Sequence, residues 1–156
     1  METLKQLQQM ARGFQTSRIL LTAFELGIFE ALGDNAVPST AVASECQTDP
    51  RATDRLLNAL CSLGLLQKEG ELFSNTPLAA KHLVRGRPDY VAGFGHINHL
   101  WDSWSSLTSA IIRDDALEKV FKEKKEASRT DAFIAAMHGR ARSSAPDGWL
   151  RQALNR

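Results

Sequence analysis

The chain has 156 residues, 43% of them apolar and 24% charged, with a formal net charge of +1. That length holds one ordinary domain with its core and a short appendage, and that composition excludes a disordered chain. The near-zero balance excludes a global electrostatic pull toward nucleic acid or an anionic membrane.

Leu4, Leu7 and Met10, with glutamines between them, predict a short amphipathic helix. This polar opening lacks the apolar core of a signal peptide, and no run reaches the roughly 18 apolar residues of a spanning helix. A cytoplasmic chain without membrane contact is the expectation. Residues 14–32 predict a longer helix, with Phe14, Leu21, Phe24, Ile28 and Leu32 at helical spacing. Ile19, Leu20, Leu26 and Phe29 fill its other faces. A helix apolar nearly all round must be covered nearly all round, which a chain this small can hardly do alone. A second copy is the expected cover; a central core helix of a monomer is the competing reading.

Gly33-Asp34-Asn35 ends that helix with turn chemistry. Ser39 or Thr40 is placed to cap a short helix through Cys46, and Asp49-Pro50 gives a cap followed by Pro at the first helical position. Leu56, Leu57, Leu60, Cys61 and Leu63 then form a core stripe ending at Gly64, with Cys61 expected as a buried thiol. Residues 65–68 and 71–74 predict two strands around Glu69-Gly70. Residues 38–76 therefore read as a winged helix-turn-helix with a small hairpin wing, inside a mainly α chain. Its charges oppose DNA binding. Glu45, Asp49, Asp54, Glu69 and Glu71 face only Arg51, Arg55 and Lys68, so five acids against three bases leave −2.

Thr76-Pro77 repeats the cap-plus-Pro start, and Gly86-Arg87-Pro88 breaks the chain. A helix is predicted over 90–112, with Ile97, Leu100, Trp101, Trp104, Leu107 and Ile111 at core spacing. The mixed charges of 113–129 suit a solvated helix or linker. Thr130-Asp131 starts a helix bearing Phe133, Ile134 and Met137, and Pro146-Asp147 a last one with Trp149, Leu150 and Leu154. The expected organisation is a domain over 1–112, a charged linker over 113–129 and connecting helices over 130–156.

Candidate chemistry is sparse. His96, His99 and Asp102 recur every third residue, but a metal site needs ligands from a second element and nothing in the sequence brings His138 there, so no metal is expected. Gly93-Phe94-Gly95 lacks the preceding buried strand of a nucleotide-binding loop and reads as close helix packing. Ser103, Ser105 and Ser106 have no recognisable base, and the two cysteines form no CxxC. No catalytic residue is assigned. Trp101 and Trp104, with Phe94 and Tyr90 upstream, serve core packing or, more sharply, an aromatic wall of a ligand pocket or a seam between subunits.

The run Ile19-Leu20-Leu21-Thr22-Ala23-Phe24-Glu25-Leu26-Gly27-Ile28-Phe29-Glu30-Ala31-Leu32 resembles the first long helix of small-molecule O-methyltransferases of the bacterial and plant type. Arg55-Leu56-Leu57-Asn58-Ala59-Leu60-Cys61-Ser62-Leu63-Gly64-Leu65-Leu66, the hairpin, Asn75-Thr76-Pro77-Leu78-Ala79, residues 96–107 and residues 133–137 match in the order expected. The resemblance implies a helical dimerisation domain whose winged helix does not bind DNA. It implies a homodimer that roofs the pocket of a small hydroxylated acceptor, with S-adenosylmethionine as the full-length enzyme's cofactor. Trp101, Trp104, Met137 and His138 become the candidates for lining that pocket. Phe14, Leu21, Phe24 and Ile28 become the candidates for the dimer interface.

Such enzymes continue into a doubly wound domain with a glycine-rich cofactor loop, an acidic ribose-binding residue and a histidine base. None follows Met137, so the chain is expected to stop short of that domain, to bind no cofactor and to be inactive alone. A dimeric winged-helix transcriptional regulator is the alternative.

Overall fold

The structure, a computed structural model, describes residues 3–113, which divide into two compact units, one ending at Tyr90 and the other beginning at Val91. The expected linker over 113–129 and the helices over 130–156 lie outside the described residues. The first unit runs α1 (Leu4–Glu25), α2 (Ile28–Leu32), β1 (Val37–Pro38), α3 (Ser39–Glu45), α4 (Pro50–Ser62), β2 (Leu66–Glu69), β3 (Leu72–Asn75) and α5 (Pro77–His82). It is mainly helical, with a small antiparallel sheet in the order β1-β3-β2.

Local chemistry sets the boundaries. Thr3 Oγ1 accepts from the Gln6 amide at 3.3 Å, and Gln6 Oε1 accepts from the Thr3 amide at 3.1 Å, a reciprocal capping box. The helix it opens passes through Gly13 and joins two helices that the apolar spacing predicts as separate. It also stops earlier than expected, because Gly27 adopts φ +73, a left-handed conformation that cannot continue a right-handed helix. Asp49 and Thr76 cap α4 and α5 as their Pro-following positions predict, accepting from the amides of Ala52 at 2.8 Å and Ala79 at 3.4 Å. The expected Ser39 or Thr40 cap is not formed. Pro38 holds that position without a side-chain bond, because β1 carries the chain straight into α3.

In the sheet Val37 and Lys68 flank Phe73, and Glu69 pairs with Leu72. The hairpin loop is Gly70-Glu71, with Gly70 at φ +59, the first-position requirement of a tight two-residue turn. Phe73 is buried while its neighbour Leu72 is exposed, the alternation of a one-faced sheet.

The seven largest side chains below 2% exposure form the centre: Phe29, Phe73, Ile28, Leu32, Leu57, Leu60 and Val42. Each stabilises the fold by about 1.5–3 kcal/mol on burial. Around them α4 packs on α3, α1 and β2, while α2 packs on α1, α3 and β3. Of the predicted stripe on α4, Leu57 and Leu60 are buried, whereas Leu56, Cys61 and Leu63 are half-buried. Thr53 is the buried polar residue on α4; its hydroxyl donates to the Asp49 carbonyl at 2.8 Å and shares a hydrogen bond with Thr48.

The second unit contains α6 (Gly93–Ser105) and α7 (Leu107–Arg113). The sequence predicts one helix here, and Ser106 breaks it. Its hydroxyl donates to the Ser103 carbonyl at 2.8 Å and its amide bonds the same carbonyl, offering the backbone an alternative to the helical pattern. Among the described residues no helix is long and apolar enough to cross a membrane.

Candidate functional site

The exposed half of α1 is the most conspicuous surface. Every residue from 4 to 17 is exposed, including Leu4 at 69%, Leu7 at 51%, Met10 at 66% and Phe14 at 56%. At about 100° per residue these four side chains fall within one sector of roughly 120°, an apolar stripe bordered by glutamines. The other half of α1 is anchored in its own unit. Leu21 and Ala23 are buried, and the Phe24 ring stacks on Tyr90 with centroids 5.7 Å apart. Burial chiefly raises the Tyr90 pKa above the ordinary phenol value, against a lowering by the Arg85 hydrogen bond.

The four expected interface residues therefore do not share one open surface. Phe14 lies on the exposed stripe and Phe24 is half-buried, but Leu21 at 3% and Ile28 at 0% are already covered by their own chain. Leu4, Leu7 and Met10 join Phe14 instead. Their spacing is legible in the sequence, and only the continuity of α1 through Gly13 shows that they extend the same helix.

In the second unit Trp101 is half-buried and Trp104 is 63% exposed. Ile97, Leu107 and Ile111 are exposed too, so the predicted core stripe is largely a surface; Ala110 is the buried residue of α7. Met137 and His138 lie outside the described residues. Among the described residues no three His, Cys, Asp or Glu side chains group as metal ligands. Gly93-Phe94-Gly95 opens α6, and the element before it is α5 rather than a strand. Gly93-Phe94-Gly95 thus does not form the strand-to-helix turn at which a nucleotide-binding loop's amides converge.

The surface of α3, α4 and the hairpin keeps its acidic balance, with Glu45, Asp49, Glu69 and Glu71 exposed. Of the bases, Lys68 donates to Asn58 Oδ1 at 3.2 Å and sits 4.6 Å from the Phe73 ring centroid. Both thiols titrate high. Burial raises Cys46, helped by Glu45 and Glu30, and burial raises Cys61 against a lowering by Lys68.

A mainly helical domain with a small antiparallel sheet and a long first helix, exposed and apolar-striped over its first half, is the class of fold these residues define. Residues 8–85, half of the chain, match the O-methyltransferase dimerisation domain. The chain belongs to that family. It is 36% identical over 106 residues to a tetracenomycin polyketide synthesis 8-O-methyl transferase of Streptomyces glaucescens, covering 66% of this chain and 31% of that protein. An O-methyltransferase family protein from Burkholderia thailandensis superposes with a TM-score of 0.77 at 26% identity, covering 92% of this chain and 44% of that one. Human N-acetylserotonin methyltransferase, solved in complex with S-adenosylmethionine, shares the fold with a TM-score of 0.69 at 23% identity over 90% of this chain and 46% of that one. The chain thus spans less than half the length of each.

Proposed function

We propose that this chain is the dimerising and pocket-covering part of an S-adenosylmethionine-dependent O-methyltransferase acting on a small hydroxylated metabolite. It works as a homodimer in which α1 of each copy is covered by the other. Membership of a dimerisation-domain family and the exposed arm of α1 carry this reading together. Covering the exposed fractions of Leu4, Leu7, Met10 and Phe14 would contribute about 4–7 kcal/mol per chain before the cost of association.

In this reading α3, α4 and the hairpin form a winged helix-turn-helix that meets protein rather than DNA. The domain over 1–112 leads through the linker of 113–129 to connecting helices over 130–156. Trp101, Trp104, Met137 and His138 wall the acceptor pocket, while the general base and the methyl donor come from outside this chain. Alone, it binds no cofactor and transfers no methyl group. The regulator alternative is not favoured, since the acidic balance of residues 38–76 opposes phosphate contact.

The test replaces Met10 and Phe14 together by Glu and follows mass by light scattering, with circular dichroism to verify folding. The reading requires a folded monomer from the double variant; a dimer that survives two carboxylates on the stripe sinks it. Micromolar S-adenosylmethionine binding to the unaltered chain by calorimetry would refute the pocket assignment.

A further inference from the structure

Along the first half of α1 the exposed apolar side chains recur at alternating steps of three and four residues. Leu4, Leu7, Ala11 and Phe14 are all exposed, and at about 100° per residue they fall within about 80° around one line of the helix. Met10, 66% exposed, borders that line on one side, and Gln8 borders it on the other. Such alternation marks a seam along which one helix packs lengthwise on another. The line ends in charge. Arg18 lies on it beyond Phe14, and Glu25 lies on it further still, the two joined by an ion pair at 3.4 Å.

Residues 8–85 match a dimerisation domain, which favours a second copy as the cover of this seam. A two-fold pair presents the same patch twice, so the seam must fit itself. In a parallel pair each residue faces its own copy. Ala11 then meets Ala11 across a gap, Phe14 crowds Phe14, and Arg18 comes up against Arg18 on the same line, a like-charge contact that opposes pairing. An antiparallel pair centred level with Gln9 matches the seam to itself from end to end. Leu4 then meets Phe14 of the other copy, and Leu7 meets Ala11, a large side chain against a small one. The two Met10 side chains meet on one flank and the two Gln8 side chains on the other, while both Arg18–Glu25 pairs stay beyond the ends of the overlap.

We propose that the α1 arms of two copies pair antiparallel in this register, with the two-fold axis passing between the levels of Leu7 and Ala11. The proposal rests on the homodimer reading above and adds the direction and register in which the arms meet. Large and small side chains alternate across the seam, and no two like charges face each other. The bases of this half, Lys5 and Arg12, lie more than about 110° round the helix from the line, clear of the other copy.

Cysteine placement tests the direction, in chains whose Cys46 and Cys61 are replaced by Ser. Leu7→Cys and Ala11→Cys chains refolded together should link to each other under mild oxidation, since helices packed about 8–10 Å apart bring facing Cα atoms within the roughly 4.4–6.8 Å of a disulfide. Each variant alone should stay unlinked, because its own copy lies about 6 Å further along the axis. A parallel pair reverses this result and links each variant to itself. Size exchange tests the register. Ala11→Leu should weaken dimerisation about tenfold by light scattering, through crowding against Leu7, and adding Leu7→Ala should restore most of the loss. In a parallel pair Ala11→Leu would instead fill a gap and tighten the dimer. Ala and Leu differ little in helix propensity, so helix stability accounts for neither sign. A dimeric parent in which like variants link, in which the mixture does not link, or in which Ala11→Leu does not weaken association overturns the antiparallel pairing and leaves the homodimer intact. A monomeric parent overturns both.

Discussion

Replacing Asn75 by Ala removes the two side-chain bonds that tie β3 to the far end of α2. Asn75 Nδ2 donates to the carbonyls of Phe29 and Gly33, each at 2.9 Å, across 46 and 42 residues of chain. The Phe29 carbonyl also accepts from the Gly33 amide at 3.0 Å, so the larger loss falls on the Gly33 carbonyl. A lost bond costs about 0.5–1.5 kcal/mol, and a deserted part-buried acceptor raises that toward 3. One term runs the other way, since Asn75 Oδ1 is buried without a partner and Ala removes it. The net expectation is a loss of about 2 kcal/mol, which in urea lowers the midpoint by roughly 1 M for a slope near 2 kcal/mol/M. Far-UV circular dichroism through a urea series measures it. Asn75→Asp sharpens the test: it keeps the size but points a carboxylate at two carbonyl oxygens, so at pH 7 it should destabilise more than Ala. A midpoint for Asn75→Ala within about 0.2 M of the parent, or an Asp variant no worse than Ala, would refute this account of the α2–β3 tie.

Leu57→Ala, at a position with 0% exposure, should cost about 2–5 kcal/mol in the same urea series, while Leu78→Ala at 60% exposure should change little. Gly27→Ala should lose about 1–2 kcal/mol from backbone strain alone, because a Cβ there would meet only Glu30 Oε2 at 3.9 Å while φ stays at +73. Cys46 and Cys61 should react with iodoacetamide at pH 8 more slowly in the folded chain than in urea; faster reaction of the folded chain would contradict their raised pKa values. A thiol whose folded pKa exceeds its ordinary 9.0 adds stability that is fully present below that value and is lost as pH climbs through the folded one. The unfolding midpoint should accordingly drift down above about pH 9.

Much of the first unit is legible where local chemistry decides. Asp49-Pro50 and Thr76-Pro77 start the helices they predict, and Glu69-Gly70 marks the hairpin to within a residue. Long-range pairing is not legible. β1 is two residues long and contains Pro38, so no alternation announces it, and only its register with Phe73 and Leu72 makes it a strand. The amide of Asn75 reaches residues more than 40 positions away, which no periodicity encodes. Gly13 and Gly27 show the same limit from another side: both interrupt an apolar pattern, one lies inside a helix and the other ends one, and their φ angles rather than their spacing separate them. At the candidate surface the helical face of α1 was readable, but which half faces its own chain was not. Leu21 lies on the same face as Leu7 and Phe14, and packing within the first unit buries it.

Light scattering coupled to size-exclusion chromatography, on the unaltered chain across a hundredfold range of concentration, addresses the pairing of two copies most directly. The account predicts a particle of about 34 kDa, twice the 17.2 kDa chain, with slowed amide exchange along residues 4–17 despite their exposure in one copy. A folded 17.2 kDa particle at high micromolar loading, with those amides exchanging freely, would contradict it.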